Sequence, residues 1–503
     1  MNLRVMLEEA VRRYKEKTAI ISGNDRLSYA EVDAVSNKIA NYLLKLGVSK
    51  GDRVAMLLSS SLEFVTVFLG IIKIGAIAVP LDTKCKLDEY ASLLDNCRPG
   101  ILVAESNFLE VLMPVSTRFS YIQNVITVGN GGDGQFVDYQ QIIDTTHAGH
   151  IGVKVDSRDI ALISYTGGPA SRPRGTLITH ENLIIEGLAS GYGFEQTEKD
   201  VVVLFALPLF HAFGLEIALI TSLFQGSTVV IVPGLSLHGL MQTIEREGVT
   251  IFMGVPYIFT LAVNMAEVEG IKHNLSSLRL CVSGGASLSL RVIERFRQYY
   301  GLNIAQVYGL TEATAHVTCQ PADGSGKPGG VGGALAVWDV KVVDDDGREL
   351  SANETGEIIV RGQVMAGYYN NPEDTAETMA GDWLLTGDFG WIDEDGEVFI
   401  QGLKKDMILV KGQNAWPMDI ETVLRTHPGV AEAAVVGIAD ELRGERIRAV
   451  VRLKDGCLVA EKELQEFCRE HLANFKVPKQ VVFTDSIPRT AKGQFDKQAL
   501  KNM

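Results

Sequence analysis

Residues 160–182 read IALISYTGGPASRPRGTLITHEN and join a short apolar run to a glycine-rich, basic turn. The run from Ile160 to Tyr165 predicts a buried strand, because it is short, mostly apolar and followed by glycine and proline. The adjacent Gly167 and Gly168 let the backbone approach a ligand closely, and successive N–H groups in such a turn bind anions. Hydroxyl and guanidinium groups are supplied by Thr166, Ser171, Thr176, Arg172 and Arg174.

A strand followed by a turn of this composition is typical of a phosphate-binding loop. The loop is not of the Walker type, because no Gly-Lys-Ser/Thr follows at the required offset. A surface turn with solvated arginines fits the same residues, so this stretch alone leaves both interpretations open.

Composition narrows the class of protein. A chain of 503 residues predicts more than one domain, and 46% hydrophobic residues are enough for large cores. The net charge of −15 argues against a nucleic-acid binder, but it permits a small anionic ligand in a locally basic pocket. Six scattered cysteines without a CxxC pair predict neither a disulfide framework nor a zinc site, and they fit a reducing cytoplasm.

Two segments bear on targeting and membranes. The N-terminal residues carry acids and no apolar core, so we expect no signal peptide there. The most membrane-like stretch is 64–81, but Lys73 interrupts it and Pro80 ends it. It therefore predicts a buried helix followed by a strand, and no membrane span.

Helical and strand patterns alternate through the first two thirds of the chain. Ser28 and Glu31 form a capping box before an amphipathic helix that ends near Gly47. The predicted strands are Arg53–Leu58, Ala76–Pro80, Asn124–Val128, Val201–Leu207, Thr228–Val232, Ile251–Val255, Leu278–Ser283 and Asn303–Tyr308. The predicted helices between them include Leu62–Ile74, Leu237–Glu247 and Ser289–Tyr300. This alternation predicts an α/β fold, in which parallel sheets carry helices on their faces.

The predicted secondary structure changes after Val331. Short strands with Asp- and Gly-rich turns predict a barrel-like β module over about 331–402. A small α+β domain of about 100 residues follows, so we expect domains at 1–402 and 403–503. Its predicted elements are helix Pro417–Thr426, strands Ala431–Gly437 and Arg446–Leu453, helix Glu461–Leu472 and strand Gln480–Thr484.

Ligands of open parallel sheets bind where strands end, and three features fall at such ends. Gly284, Gly285 and Ala286 would let a flat ring lie against backbone. Residues 308–312, Tyr-Gly-Leu-Thr-Glu, combine an aromatic face with a hydroxyl and a carboxylate able to hold Mg²⁺. His211 ends an apolar run.

Each feature also has a plainer interpretation. His211 fits a core or rim histidine, and Thr311 with Glu312 fits a helix N-terminus. Residues 386–388, Thr-Gly-Asp, fit an ordinary turn.

Taken together and in order, these stretches resemble the adenylate-forming (ANL) superfamily, which contains acyl-CoA and aryl-CoA synthetases, luciferases and peptide-synthetase adenylation domains. The resemblance covers essentially the whole chain. Its most specific motifs are residues 308–312, residues 386–388, and Lys404-Lys405-Asp406 with the run GQNAWPMDIE at 412–421. The run GEIIVRGQVMAGYYNNP at 356–372 also fits.

The resemblance implies a two-step reaction with ATP, Mg²⁺ and CoA. A carboxylic acid forms an acyl-adenylate, and a thiol then displaces AMP while a small mobile C-terminal domain rotates about a hinge. It assigns Tyr308 and Gly309 with Gly284–Ala286 to adenine, Thr311 to the α-phosphate and Glu312 to Mg²⁺. Further implied roles are Asp388 for ribose, His211 for the gate of the acid pocket, Lys405 for the hinge, and Thr166, Gly167, Gly168, Ser171, Arg174 and Gly412 for the nucleotide.

Three departures from the family pattern concern the nucleotide. The phosphate loop has lost two hydroxyls and a glycine, and Pro169 has no N–H to donate. Leu403 stands where the family has an arginine, and Gln494 stands where the family has a lysine. Losing one charged transition-state contact commonly costs about 3 kcal/mol, so the departures predict an adenylation step that is slow, altered or lost.

We therefore expect an AMP-forming acyl-CoA synthetase-like ligase acting on an organic carboxylic acid. One alternative is a degenerate relative that only binds nucleotide, CoA or an acyl ligand. Another is an acyl transferase or hydrolase that works without ATP. The sequence leaves the acid unidentified, with a pocket expected at 211–216, 255–259 and 313–317, and it fits a monomer and a homodimer equally.

Overall fold

The computed structural model describes residues 1–85, 87–112, 118–129, 136–166, 173–204, 207–232, 234, 236–410, 413–440, 444–472, 474–490 and 494–503. The chain forms two compact units. The first unit contains residues 1–340 and 360–384, and the second contains residues 341–359 and 385–503. The domain boundary expected after residue 402 stays a prediction.

Helices and strands are distributed along the whole described chain. The α-helices are α1 (Leu3–Tyr14), α2 (Tyr29–Lys45), α3 (Leu62–Lys73), α4 (Leu87–Cys97), α5 (Ser106–Leu112), α6 (Tyr139–Thr145), α7 (His180–Gly193), α8 (Thr221–Gln225), α9 (Leu237–Glu247), α10 (Pro256–Glu269), α11 (Leu290–Tyr300), α12 (Pro372–Thr378), α13 (Pro417–Thr426), α14 (Glu461–His471) and α15 (Lys497–Lys501). A π-helix covers Phe213–Ile220, and 3₁₀ turns cover Thr311–Ala313, Lys404–Asp406 and Asn474–Lys476.

The strands through Ala334 are β1 (Thr18–Ser22), β2 (Asp25–Ser28), β3 (Arg53–Leu57), β4 (Ile77–Pro80), β5 (Ile101–Glu105), β6 (Asn124–Val128), β7 (Val137–Asp138), β8 (Ile160–Tyr165), β9 (Gly175–Thr179), β10 (Val201–Leu204), β11 (Thr228–Ile231), β12 (Ile251–Gly254), β13 (Leu280–Ser283), β14 (Ile304–Tyr308), β15 (Thr318–Cys319) and β16 (Gly333–Ala334). Those that follow are β17 (Asp339–Val343), β18 (Gly356–Arg361), β19 (Met379–Ala380), β20 (Trp383–Ile392), β21 (Val398–Leu403), β22 (Ile408–Val410), β23 (Gln413–Ala415), β24 (Val430–Asp440), β25 (Gly444–Leu453) and β26 (Gln480–Phe483).

The first unit contains two largely parallel sheets. A seven-stranded sheet has the order β7-β6-β5-β3-β4-β8-β9, in which only β8 and β9 pair antiparallel. A nine-stranded sheet has the order β16-β15-β14-β13-β12-β10-β11-β1-β2 and is antiparallel only at its two ends. The strand–helix alternation in the sequence predicts this arrangement, because a crossover between parallel strands needs a helix. The prediction of an α/β fold is confirmed.

Burial explains why the apolar stretches form these elements. Strands β10, with sequence VVVL, and β11, with sequence TVVI, pair in parallel, and their residues are almost wholly enclosed. Helix α9 buries Leu240, Met241 and Ile244 against Phe252 of the adjacent strand β12. The helical spacing predicts α9 at the observed residues, because the buried side chains repeat every three to four positions.

The stretch 64–81 forms buried helix α3 followed by strand β4, as the sequence predicts. Lys73 is 1% exposed, and its ammonium donates to Asp33 Oδ1 at 2.7 Å, to Ser36 Oγ at 2.7 Å and to Asn37 Oδ1 at 2.8 Å. These partners compensate the cost of burying the charge. No helix in the described residues is long and apolar enough to cross a membrane.

The second unit contains the α+β elements expected near the C-terminus. Strands β23, β22, β25 and β24 form a sheet in that order, and β26 pairs with β25 in parallel. Helices α13 and α14 pack on this sheet around Ile420, Leu424 and Leu464. Ahead of these elements, β17–β21 form the short-stranded module expected after Val331, and within the second unit β20 pairs with β21 antiparallel.

Two local predictions need correction, and one further segment has a structure that the sequence analysis did not predict. The strand expected over Val201–Leu207 ends at Leu204 in the described residues, and Leu207 lies outside it. Residues 213–220 form a π-helix that apolar periodicity does not indicate, since every side chain of this segment is buried. Residues 386–388 lie inside strand β20 and do not form a turn, although Gly387 has φ +71°.

Candidate functional site

Adenine-binding residues are expected at one edge of the nine-stranded sheet. Strands β13 and β14 are parallel neighbours, so Gly284 and Tyr308 lie at the same edge, where both strands end. A Cβ atom at Gly284 would lie 2.7 Å from Val307 Cγ2 and 3.2 Å from a ring carbon of Phe213. Glycine is therefore required for this packing. The next residue, Gly285, has φ +81°. Gly285 and Ala286 are both exposed, so the backbone there is accessible to solvent.

The chain after Tyr308 is held in a tight reversal. A Cβ atom at Gly309 would lie 1.7 Å from the carbonyl oxygen of Ala315, so only glycine fits. Thr314 and Ala315 have φ of +45° and +72°, and each such residue costs about 1–3 kcal/mol in backbone strain. The Val317 N–H donates to the Tyr308 carbonyl at 2.9 Å and closes the reversal. This strain presents Thr311 and Glu312 on a single 3₁₀ turn at the sheet edge.

The carboxylate of Glu312 is connected to the phosphate-loop region. The Tyr368 hydroxyl donates to Glu312 Oε1 at 2.8 Å, and the Met365 N–H donates to the Glu312 carbonyl at 2.8 Å. The guanidinium of Arg174 lies over the Tyr368 ring at 5.5 Å. Burial and the Glu312 charge raise the pKa of Tyr368, so its hydroxyl keeps its proton.

Arg174 is also paired with a buried acid. Its Nε lies 2.6 Å from Oδ2 of Asp374, which is fully buried, and this hydrogen bond is the main reason that the pKa of Arg174 is raised. The Thr166 N–H donates to the Arg174 carbonyl at 3.0 Å, so these two predicted site residues close the loop between them. Gly167, Gly168, Pro169 and Ser171 lie outside the described residues. The structure thus brings Thr166, Arg174 and Glu312 into one region.

His211 is exposed and lies two residues before the first residue of the π-helix, Phe213. Its Nδ1 accepts a hydrogen bond from the Phe213 N–H at 3.3 Å, and its carbonyl accepts from the Leu215 N–H at 3.0 Å. Since Phe213 packs beside Gly284, the histidine lies close to the expected adenine edge. Its exposure argues against a core histidine.

The remaining predicted site residues belong to the second unit. Asp388 on β20 pairs with Leu403 on β21, so the apolar residue at the position where the resemblance implies an arginine lies directly beside the expected ribose ligand. The Asp388 N–H donates to the Thr386 hydroxyl at 3.0 Å, which fixes the backbone there.

Other second-unit residues are less fully described. Lys405 lies in the 3₁₀ turn Lys404–Asp406, and its side chain lies outside the described part of the structure, as does Gly412. Gln494 is exposed, and its carbonyl accepts from the Thr490 N–H at 2.8 Å.

Comparison with known proteins places the chain in a family. Residues 7–369 match the AMP-binding enzyme family, and residues 419–494 match the C-terminal domain of AMP-binding enzymes. The chain belongs to the AMP-binding enzymes. The match spans the two sheets and the strained reversal at 308–317, so the resemblance stated from the sequence is confirmed.

Individual relatives of this AMP-binding enzyme are CoA ligases. A long-chain-fatty-acid–CoA ligase of Escherichia coli O157:H7 is 32% identical over 528 residues, covering 99% of this chain and 93% of the relative. A 3-[(3aS,4S,7aS)-7a-methyl-1,5-dioxo-octahydro-1H-inden-4-yl]propanoyl:CoA ligase of Rhodococcus jostii is 32% identical over 513 residues, covering 98% and 97%. The crystal structure of the anthranilate CoA ligase AuaEII in complex with anthranoyl-AMP is similar with a TM-score of 0.92 at 28% identity, covering 100% and 97%.

The residues present fit Mg²⁺ bound together with nucleotide phosphates. No group of three or more metal-ligating side chains occurs among the described residues. Mg²⁺ commonly takes one or two carboxylates, with phosphate oxygens and waters completing its shell. Glu312, with one oxygen fixed by Tyr368, matches that pattern.

Sequence reasoning missed the contacts that support Glu312 and Arg174. Tyr368 and Asp374 lie 56 and 200 residues from the side chains that they contact, so no local pattern indicates either pair. It included Glu216 only as the last residue of the expected acid pocket at 211–216, and it missed the significance of a charged residue inside the apolar run FGLEIALI. An acid at the centre of an apolar run is itself a signal, because ionisable groups are rarely fully buried.

Proposed function

We propose that this AMP-binding enzyme is an AMP-forming acid–CoA ligase. It activates an organic carboxylic acid as an acyl-adenylate and transfers the acyl group to the thiol of CoA. The main support is the strained reversal after β14, which presents Tyr308, Thr311 and Glu312 together at the edge where ligands of parallel sheets bind.

In the first step, a carboxylate oxygen attacks the α-phosphorus of ATP, and the bond to the bridging oxygen of pyrophosphate breaks. Tyr308 stacks on adenine above the backbone of 284–286, Thr311 donates to the α-phosphate, and Arg174 with the Thr166 end of the loop binds the outer phosphates. Glu312 would hold Mg²⁺, which neutralises phosphate charge when bound.

In the second step, the CoA sulfur attacks the acyl carbon and the carbon–oxygen bond to AMP breaks. His211 lies at the entrance to the acid pocket, and Asp388 hydrogen-bonds the ribose hydroxyls. We also propose that residues 403–503 form a mobile domain with its hinge at Lys405. None of the six cysteines, all of which the structure describes, forms a disulfide, which supports a reducing compartment such as the cytoplasm.

The test is pyrophosphate release with ATP, Mg²⁺ and a panel of aliphatic, aryl and alicyclic acids, followed by thioester formation on adding CoA. We expect release with at least one class of acid. Absence of release with every acid, together with no thioester from supplied acyl-adenylate and CoA, contradicts the proposal.

A second candidate function is nucleotide or acyl binding without catalysis. The observations that favour it are Leu403 beside Asp388, the exposed amide Gln494, and the engagement of Arg174 by Asp374. Titration calorimetry with ATP, AMP and CoA distinguishes the two. Tight binding without turnover favours this candidate, and turnover excludes it.

A further inference from the structure

Five buried polar side chains lie together in the first unit, between helix α7, the π-helix and the segment after Glu312. We call them the buried acidic cluster, and its members are Glu186, Ser190, Glu216, His316 and Trp338. Glu186, Ser190 and His316 are fully buried, and Glu216 is 1% exposed. The two reaction steps described above assign them no role, although Glu216 and His316 fall within the ranges 211–216 and 313–317 that are expected to line the acid pocket.

One part of the cluster is internally hydrogen-bonded. The Ser190 hydroxyl lies 2.8 Å from Glu186 Oε1 and 2.7 Å from His316 Nδ1, and the Trp338 indole N–H reaches Glu186 Oε2 at 3.4 Å. The His316 ring also stacks on Phe194, with centroids 5.1 Å apart. These contacts fix Glu186 and His316 in place.

Another part of the cluster has no hydrogen-bond partner. Both carboxyl oxygens of Glu216, and Nε2 of His316, are buried and unpaired among the residues that the structure describes. A buried polar group without a partner is costly, and fewer than about one in ten buried polar groups is left in that state. Three such atoms in one cluster indicate that something absent from the protein completes the set.

The cluster lies next to the candidate active site. Glu216 is on the π-helix that begins two residues after His211, and Phe213 of the same helix packs beside Gly284. The Cα atom of His316 would lie 2.9 Å from a Cβ atom at Gly309, so this histidine adjoins the strained reversal. π-Helical segments are rare and frequently occur at functional sites.

We propose that the buried acidic cluster binds the non-reacting end of the carboxylic acid, and that this end carries a hydroxyl or amino group. The inference rests on the proposed ligase function and specifies its substrate class. An O–H or N–H group of the substrate donates to the free oxygens of Glu216, and a polar atom of the substrate pairs with His316 Nε2. An acid with a plain hydrocarbon end leaves these atoms unpaired and is a poor substrate.

The ionisation of the cluster is consistent with this assignment. Burial raises the pKa of Glu216 to about 8, and burial also raises the pKa of Glu186 well above its ordinary value. Burial lowers the pKa of His316 to about 3, so its ring is neutral. The free cluster is thus close to uncharged at neutral pH, and it provides both donors and acceptors.

The test compares acids of matched size. One series is 3-phenylpropanoate with its 4-hydroxy and 4-amino derivatives, and the other is octanoate with 8-hydroxy- and 8-amino-octanoate. The readouts are kcat/KM for pyrophosphate release and, independently of turnover, the affinity for each acid by calorimetry in the presence of AMP. We expect a hydroxyl- or amino-ended acid to exceed its hydrocarbon counterpart at least about tenfold, because a site built for a hydrogen bond rejects the analogue that lacks it.

The variants are Glu216→Leu and Glu216→Gln, with Glu198→Leu as the control because Glu198 is exposed. Glu216→Leu removes an unpaired buried carboxyl and keeps the fold, since replacing such a group by an apolar side chain is commonly neutral or stabilising. We expect it to abolish or reverse the preference for the polar-ended acid. The Gln variant keeps part of the preference, and Glu198→Leu keeps all of it.

The outcomes separate the two proposals. Turnover with equal or better use of hydrocarbon-ended acids, or a preference unchanged in Glu216→Leu, overturns the inference and leaves the ligase function intact. Glu216-dependent binding of polar-ended acids without turnover supports the cluster assignment and contradicts the ligase function. No measurable binding of any acid overturns the inference.

Discussion

The Tyr368 hydroxyl fixes one carboxylate oxygen of Glu312, although the two residues are 56 positions apart in the chain. Tyr368 contacts no substrate atom in our proposal, so it acts as a positioning residue. Its contact orients the side chain that we assign to Mg²⁺.

Replacing Tyr368 with phenylalanine removes this hydrogen bond and keeps the ring under Arg174. A hydrogen bond to a charged group is worth about 1.5–3 kcal/mol, so we expect the apparent KM for Mg-ATP to rise roughly ten- to a hundredfold. Thioester formation from supplied acyl-adenylate, which needs no metal-bound pyrophosphate, stays within about twofold. Tyr192→Phe is the matched control, because Tyr192 is 82% exposed. Equal losses in both half-reactions would show that Tyr368 only supports the fold.

Gln494 supplies no positive charge at the position where the resemblance implies a lysine. The Gln494→Lys substitution introduces that charge, and one charged transition-state contact is worth about 3 kcal/mol. We expect pyrophosphate release to accelerate at least tenfold, with little change in thioester formation from acyl-adenylate. Gln494→Met controls for side-chain length. A rate equal to that of the Met variant would mean that the departure at this position does not limit adenylation.

Glu216 links the buried acidic cluster to pH-dependent stability. Its pKa is about 8 in the folded protein and near 4.3 in an unfolded chain, so the folded state binds the extra proton between these values. Stability contributed by this proton is present at low pH and is lost as pH rises through 8. The pKa of Glu186 is also raised, so its proton changes the free energy of unfolding with pH in the same direction.

We therefore expect Glu216→Gln to reduce the decline in the free energy of unfolding between pH 5 and 8, by up to about 4 kcal/mol. Urea denaturation at pH 5, 6.5 and 8 measures this change. A decline equal to that of the unsubstituted protein would show that Glu216 does not titrate in this range.

At the scale of elements, periodic segments are the most predictable. Helices α9 and α13 begin and end at the predicted residues, and the Ser28–Glu31 capping box forms with both of its hydrogen bonds. Such elements are fixed by neighbours in sequence, so the sequence is sufficient to find them. The π-helix at 213–220 escapes prediction because all of its side chains are buried, which removes the polar face that marks a helical period.

Some features of the candidate site are likewise predictable from the sequence, and others are not. Tyr308 ends a predictable strand and Glu312 follows it, and their motif predicts a role for both in binding. The engagement of Arg174 by Asp374, and of Glu312 by Tyr368, depends on packing between distant segments. The positive φ angles of Thr314 and Ala315 also cannot be predicted from the sequence, because neither residue is glycine.

The reversal after β14 is itself testable. Gly309→Ala would place a Cβ atom 1.7 Å from the Ala315 carbonyl oxygen, a contact that only movement of the backbone relieves. We expect a loss of about 2–4 kcal/mol in stability and a fall of at least a hundredfold in pyrophosphate release. Gly152→Ala, where a Cβ atom meets nothing within 4 Å, is the control. Near-normal activity in Gly309→Ala would contradict the assigned role of the reversal.

At the scale of the whole molecule, the family match extends through both compact units, from residue 7 to residue 494 with a gap at 370–418. The predicted nucleotide ligands are divided between these units: Tyr308, Thr311 and Glu312 belong to the first, and Asp388 and Gln494 belong to the second. The proposed reaction therefore needs residues of both units.

The most direct test follows an oxygen atom of the acid. The acid carboxylate is labelled with ¹⁸O at both oxygens, incubated with ATP, Mg²⁺ and CoA, and the products are analysed by mass spectrometry. An acyl-adenylate route transfers one carboxylate oxygen to AMP, so AMP gains one ¹⁸O and the thioester keeps the other, with pyrophosphate formed in equal amount. Unlabelled AMP, or ADP and phosphate in place of AMP and pyrophosphate, would contradict the account.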